Sequence, residues 1–243
     1  MSLYDKVAIV TGASRGIGAG IARAFANDGC LVAGIARDAE ALNAVAEDIE
    51  SRGGRFIPFI ADVKNSERVE VVVREIMERT GRIDILVNNA GVALYKTCLE
   101  MSVEEWQKVI DINLRGAYIC THAVLKHMVE SHSGHIIFIS SDAGKFTFNG
   151  GSAYNVSKHG VQELAATLRK ELEGNGIKIT TICPGGVATN ILGPLPPKPA
   201  GGRYQSLTVD ELAEVILFAA NRSPNVNIDD LMVHYFHPIA SNS

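Results

Sequence analysis

Cysteine is scarce in this chain of 243 residues: Cys30, Cys98, Cys120 and Cys183 stand far apart, with no Cys-x-x-Cys pair. That excludes a disulfide framework and a cysteine zinc site, and a reducing compartment is expected. Charge of one sign is lacking too. The net charge is −4 with no basic run, so nucleic acid is not an expected partner. Long apolar runs are missing. Asp5 and Lys6 precede the short "VAIV", too brief for a signal segment or a membrane span. The end, "ASNS", carries no retention signal. A cytoplasmic protein without a membrane partner is expected. The seven histidines are dispersed. His132 and His135 flank Gly134 in what reads as a loop entering a strand, as ordinary surface histidines rather than metal ligands.

What is present is an apolar interior. The chain is 47% hydrophobic and 21% charged, which suits one α/β domain over residues 1–243. β-branched runs alternate with helical patterns. Strands are expected over 6–11, 31–36, 55–63, 82–91, 134–141, 177–186 and 230–236. A proline in the third argues against perfect pairing there. Helices are expected over 16–28, 39–50, 66–80, 102–130, 152–173 and 208–221. Ser66 can cap the third, which ends near Gly81, and Ser102-x-x-Glu105 opens the long fourth as a capping box. This alternation implies βαβ crossovers: a doubly wound parallel sheet with helices on both faces. Such sheets bind ligands beyond the carboxyl ends of their strands. The fragments gathered there are "GASRGIG", "ARD", "ADV", "NNAG", "SSDAG" and "PGGVAT". Each alone is a turn; six together mark a binding edge.

In "TGASRGIG", Gly12, Gly16 and Gly18 lie between the first strand and the first helix. Glycines there let backbone N–H groups approach a phosphate at a helix N-terminus, the arrangement of a dinucleotide site. The spacing is Gly-x-x-x-Gly-x-Gly, not Gly-x-Gly-x-x-Gly. NAD-preferring sites place a carboxylate about 20 residues on, to bind the ribose 2′-hydroxyl. Here Arg37 stands 21 residues after Gly16 (37 − 16), and Arg15 lies within the loop. Two guanidinium groups suit a 2′-phosphate, so NADP(H) is the expected cofactor. The alternative is that Arg37 only pairs with Asp38 or Glu40.

In "SAYNVSKHG", Tyr154 and Lys158 are four apart on a helix and share a face. A phenol is a poor base near neutrality, and a fixed cation beside it lowers its pKa. Tyr154 close to pH 7 needs roughly 4 kcal/mol of differential stabilisation. A solvated surface pair is the alternative for these two residues taken alone.

Taken together, "TGASRGIG", "NNAG" (88–91), Asn113 in "DINLRGAY", "SS" at 140–141, "YNVSK" (154–158) and "PGGVAT" (184–189) resemble the short-chain dehydrogenase/reductase family, in its order and spacing, from about Lys6 to Thr189. The resemblance implies a Rossmann-like fold and oxidoreductase chemistry on CH–OH and C=O groups. It implies Tyr154 as general acid/base, with Lys158 lowering its pKa and binding the nicotinamide ribose. The family serine precedes the tyrosine by thirteen, which selects Ser141 to hydrogen-bond the substrate oxygen. Asn113 would hold a proton-relay water. Cofactor contacts are implied for Gly12, Ser14, Arg15, Gly16, Ile17, Gly18 and Arg37. Asp62 and Val63 would flank the adenine. Asn89, Ala90 and Gly91, then Pro184, Gly185, Val187 and Thr189, complete that set. A family substrate loop falls at 190–206, where four prolines occupy 194–199. The pocket walls would be Leu94, Tyr95, Phe146, Phe148 and that loop.

Two features depart from the family pattern. The C-terminal end "NVNIDDLMVHYFHPIASNS" lacks the common Val-Asp-Gly-Gly-like turn. The expected assembly is accordingly a homo-tetramer or a homo-dimer, the dimer joined through helices 103–129 and 154–173. Asp142 follows Ser141 where relatives commonly carry an apolar residue; it can contact a polar substrate or be a solvated loop aspartate. The function expected is NADPH-dependent reduction of a carbonyl, a 3-oxoacyl thioester or small ketone among the candidates. Oxidation of a polyol or hydroxy acid is the alternative in the same class, and a non-catalytic NADP(H)-sensing protein the alternative in another. A Ser141–Lys158 hydrolase lacks its Gly-x-Ser-x-Gly elbow.

Overall fold

Seven strands form one parallel sheet in the order β3-β2-β1-β4-β5-β6-β7. The computed structural model describes residues 2–189, Ile191 and 206–236. The strands are β1 (Val7–Thr11), β2 (Leu31–Ala36), β3 (Arg55–Ile60), β4 (Ile85–Asn88), β5 (Gly134–Ile139), β6 (Ile177–Pro184) and β7 (Asp230–Val233). The helices are α1 (Gly16–Asn27), α2 (Ala39–Ser51), α3 (Ser66–Thr80), α4 (Val103–Ile110), α5 (Gly116–Glu130), α6 (Ser152–Glu171) and α7 (Val209–Ala220). Among the described residues no helix is long and apolar enough to cross a membrane.

Burial on both faces explains the unbroken apolar strands, since every residue of β1, β4 and β5 is buried. Successive side chains go to opposite layers. Ala8 and Val10 join Phe25, Leu42 and Ile216 beneath α1, α2 and α7. Val7 and Ile9 join Val72, Val124 and Leu168 beneath α3, α5 and α6. The strand order reverses between β1 and β4, the point where doubly wound sheets open a ligand crevice.

Several expectations are corrected. Despite Pro58, all six residues of β3 pair in register with β2; β3 is an edge strand, where a sheet tolerates proline. The cap of α3 is Asn65, not Ser66, and its side chain accepts from the Arg68 N–H. The last strand stops at Val233. His135 is not a surface residue: it is buried on β5, its Nε2 2.7 Å from Thr180 Oγ1 on β6. Burial holds its imidazole neutral, with the pKa pushed down to about 3.

The expected helix 102–130 is also not one α-helix. The Ser102–Glu105 capping box opens α4 as expected. A π-helical turn, Asp111–Arg115, then separates α4 from α5. One extra residue in the turn widens the helix and re-aims a side chain. Asn113 lies in that turn.

Candidate active site

The turn after β1 builds one wall of the crevice. Gly12 and Gly16 have φ of +67° and +53°, left-handed values that favour glycine. A Cβ on Gly18 would stand 2.2 Å from the Gly12 carbonyl oxygen, so no side chain fits. Ser14 and Ile17 are half-buried in this turn, and Arg15 is exposed at the start of α1. No side chain caps α1, and its first turn holds no acidic residue. Uncapped N–H groups behind a glycine-lined turn fit an anionic diphosphate.

Across the switch point, the turn after β4 locks onto β1. Thr11 Oγ1 accepts from the N–H groups of Asn89 and Ala90, both at 3.0 Å. Asn89 Nδ2 donates to the Thr11 carbonyl at 2.9 Å. Thr189, after β6, reaches the glycine turn: a Cβ on Gly16 would lie 3.5 Å from its methyl carbon. Pro184 is buried, Gly185 is half-buried, and the half-buried Val187 packs on the α1 layer. A bridge from Val187 to Leu207 ties the flanks of the expected substrate loop. That loop lies outside the described residues except for Ile191 and Ser206.

The adenine-side residues follow β3. Asp62 accepts from the Lys64 N–H at 3.0 Å, and Val63 is buried against the start of α5. Arg37 is exposed and 4.0 Å from Asp62. Asp38 instead caps α2 by accepting from the Ala41 N–H, so Arg37 is not paired with its neighbour.

Tyr154 and Lys158 are both buried on the first turns of α6. Lys158 Nζ lies 5.7 Å from the Tyr154 ring centre and donates to the Ile139 carbonyl at 2.8 Å. The Asn113 amide bridges two segments. Its Oδ1 accepts from the Val92 N–H at 2.8 Å, and its Nδ2 donates to the Val92 carbonyl at 2.9 Å and to Ser157 Oγ at 3.0 Å. A Cβ on Gly91 would lie 3.4 Å from Asn113 Oδ1 and 3.8 Å from Lys158 Nζ. Three predicted positions therefore meet at one point.

The two serines differ in what they hold. Ser140 Oγ donates to the Lys158 carbonyl at 3.2 Å and accepts from Gln162, a structural role. Ser141 Oγ accepts from the Ala143 N–H and donates to Asp142 Oδ1 at 2.9 Å. The Tyr95 ring packs on Tyr154, with centres 5.5 Å apart. Phe146 and Phe148 are exposed, and Leu94 is half-buried.

Electrostatics at the phenol run opposite to expectation. Burial pushes the Tyr154 pKa up to about 12; the neighbouring Ser141 hydroxyl works the other way, and Tyr95 and Asp142 add smaller upward contributions. Burial also pulls Lys158 down to about 8. The sequence shows that a cation is four residues away but not that both groups are desolvated. Thr11, Ser157, Gln162 and the Ile139 carbonyl were missed. Thr11 left a faint signal, as a hydroxyl closing the apolar run "VAIV".

Fold and site together define a dinucleotide-binding oxidoreductase. The family model for short chain dehydrogenases matches residues 6–200, and the chain belongs to that family. An uncharacterized oxidoreductase of Staphylococcus saprophyticus is 38% identical over 234 residues, 96% of this chain and 98% of the relative. A 3-oxoacyl-[acyl-carrier-protein] reductase of Synechocystis is 40% identical over 191 residues, 78% of this chain and 77% of the relative. The crystal structure of a metagenomic short-chain oxidoreductase in complex with NADP, 33% identical, superposes with a TM-score of 0.84 over 96% of this chain and 98% of the other.

Proposed function

We propose that the protein reduces a carbonyl to an alcohol with NADPH, with Tyr154 as the proton donor. The observation that carries this reading is the meeting of Tyr154, Lys158, Ser141 and Asn113 beside the glycine turn. The turn Gly12–Gly18 would hold the diphosphate through backbone N–H groups, Asp62 and Val63 the adenine, and Asn89, Gly91, Lys158 and Thr189 the nicotinamide end. Arg15 and Arg37 are the exposed cations suited to a 2′-phosphate. The NADP complex of the metagenomic relative supports that choice. When bound, the dinucleotide supplies the hydride.

The chain's own residues handle the proton and the charge. Reduction leaves negative charge on the substrate oxygen. Ser141 donates a hydrogen bond to that oxygen in place of Asp142. Tyr154, whose pKa of about 12 keeps it protonated at neutral pH, gives up its proton to a more basic alkoxide. Lys158, fixed by Ile139, steadies the phenolate left behind. Asn113 pins Val92 and Ser157, and the second lone pair of its Oδ1 can hold a relay water. A 3-oxoacyl thioester, named for the Synechocystis relative, and a small ketone both fit the chemistry. The exposed Trp106, Tyr118 and Val156 on α4, α5 and α6 support a homo-oligomer joined on that face.

NADPH oxidation against a panel of carbonyls tests the reading, with NADH alongside and Tyr154→Phe as the control. NADPH-preferring turnover that is lost in Tyr154→Phe is expected. Undiminished turnover in Tyr154→Phe would remove the phenol from the mechanism, and equal use of NADH would remove the arginines from cofactor choice.

A further inference from the structure

Asp142 puts a carboxylate into the proposed proton-transfer site. Its Oδ1 accepts the Ser141 hydroxyl at 2.9 Å. Its charge reaches both phenols, Tyr95 and Tyr154, and opposes the ionisation of each. No ion pair among the described residues includes Asp142. The nearby Lys145 is turned to Asp230, 3.4 Å away, and Lys158 donates to a backbone carbonyl.

This arrangement is costly for a neutral substrate. The reaction builds negative charge on the oxygen beside Ser141. A carboxylate one residue away repels that charge and competes for the same hydroxyl proton. A cation on the substrate resolves both conflicts. It offsets the Asp142 charge and relieves the developing alkoxide. It also draws the carboxylate from Ser141, freeing the hydroxyl to turn to the substrate.

We infer, building on the function proposed above, that the substrate carries an ammonium group close to its carbonyl or alcohol carbon, and that Asp142 is the residue selecting it. The substrate class is then amino ketones and amino alcohols. Asp142 acts by charge complementarity, so anionic hydroxy acids are rejected and neutral isosteres are poor.

Three alcohols of similar shape separate the cases: 1-amino-2-propanol, 2-butanol and 3-hydroxybutyrate, at neutral pH with NADP+. The wild-type protein is expected to favour the ammonium alcohol over 2-butanol by about ten-fold in kcat/KM, equivalent to about 1.4 kcal/mol. Asp142→Asn keeps an acceptor for Ser141 but removes the charge, and should bring that ratio near one. Asp142→Lys should turn the preference toward 3-hydroxybutyrate. A ratio unchanged between wild type and both variants overturns the inference. Calorimetric titration of 1-amino-2-propanol into the NADP+-loaded protein keeps this separate from the reaction itself. Absence of turnover on every alcohol and carbonyl would defeat the proposed function. Binding of the amine that weakens about ten-fold in Asp142→Asn would still support the ammonium site, and binding equal in both proteins would overturn it.

Discussion

Lys158→Met isolates the energetic cost of the buried ammonium. In the folded chain the Lys158 pKa is pulled down from its ordinary 10.5 to about 8 by burial. Below about pH 8 both folded and unfolded chains carry the proton, and the folded state bears the full cost of a desolvated charge. Between about 8 and 10.5 the unfolded chain keeps the proton while the folded chain releases it. Stability therefore rises with pH across that window and levels off above it. The displacement amounts to roughly 3 kcal/mol in total, of which about 2.5 kcal/mol accrues between pH 7 and pH 10. Tyr154 acts in the opposite sense. Its pKa, raised to about 12, makes stability fall once unfolded tyrosine ionises, above about pH 10. The clean window is thus pH 8 to 10.

Urea unfolding of wild type and Lys158→Met at half-unit steps from pH 7 to pH 10 reads the effect. Methionine fills the space of the lysine stem but leaves the Ile139 carbonyl without its donor. That loss costs about 1–3 kcal/mol at every pH. It shifts the variant's curve without tilting it, and other titrating groups cancel in the difference. The wild type should gain about 2 kcal/mol or more on the variant between pH 7 and pH 10. A difference that stays flat, or runs the other way, would show that Lys158 is solvated or paired and that its burial sets nothing.

Gly18→Ala places a methyl against the Gly12 carbonyl, where the Cβ would lie 2.2 Å away. It should destabilise the fold by about 1–3 kcal/mol and weaken dinucleotide binding at least ~10-fold. Urea midpoints and nicotinamide fluorescence titrations report the two effects, and normal values in both would contradict the close approach. Asn113→Ala unpairs both backbone groups of Val92 and removes the donor to Ser157 Oγ, which keeps its own bond to the Tyr154 carbonyl. A loss of about 2–3 kcal/mol in urea unfolding is expected, with a drop in turnover; a variant as stable as wild type would deny the bridging role. Arg37→Ala should raise the KM for NADPH by about ten-fold while leaving that for NADH alone. An equal change for both dinucleotides would place Arg37 outside 2′-phosphate recognition.

Strands were readable because burial on both faces writes itself as runs such as "VAIVT" and "HIIFI". Helix starts were readable wherever a cap has a local partner, as at Ser102 with Glu105. Where two polar residues adjoin, the choice was not local. Asn65 rather than Ser66 caps α3 because its side chain, one residue further out, meets the Arg68 N–H. His135 was misplaced for a related reason. Its partner Thr180 lies on the neighbouring strand, 45 residues on, and nothing near His135 announces it.

The site shows the same division more sharply. Glycine spacing and the Tyr-x-x-x-Lys pair are local patterns, and the fold gathers all of them at one edge. The π-helical turn was invisible because one added residue in a turn neither needs glycine nor interrupts the apolar pattern around Ile112 and Leu114. Yet that turn is what carries Asn113 to Val92 and Ser157. The Ile139 carbonyl was equally hidden, since a backbone acceptor has no letter of its own. The pKa of Tyr154 is the strongest case. A cation four residues away argued for a lowered value, but the side chain's burial decides the sign. Desolvation is a property of the layers packed on α6, where the Tyr95 ring lies on the phenol from 59 residues earlier in the chain (154 − 95). It leaves the Tyr154 phenol, expected with a lowered pKa, holding its proton at neutral pH.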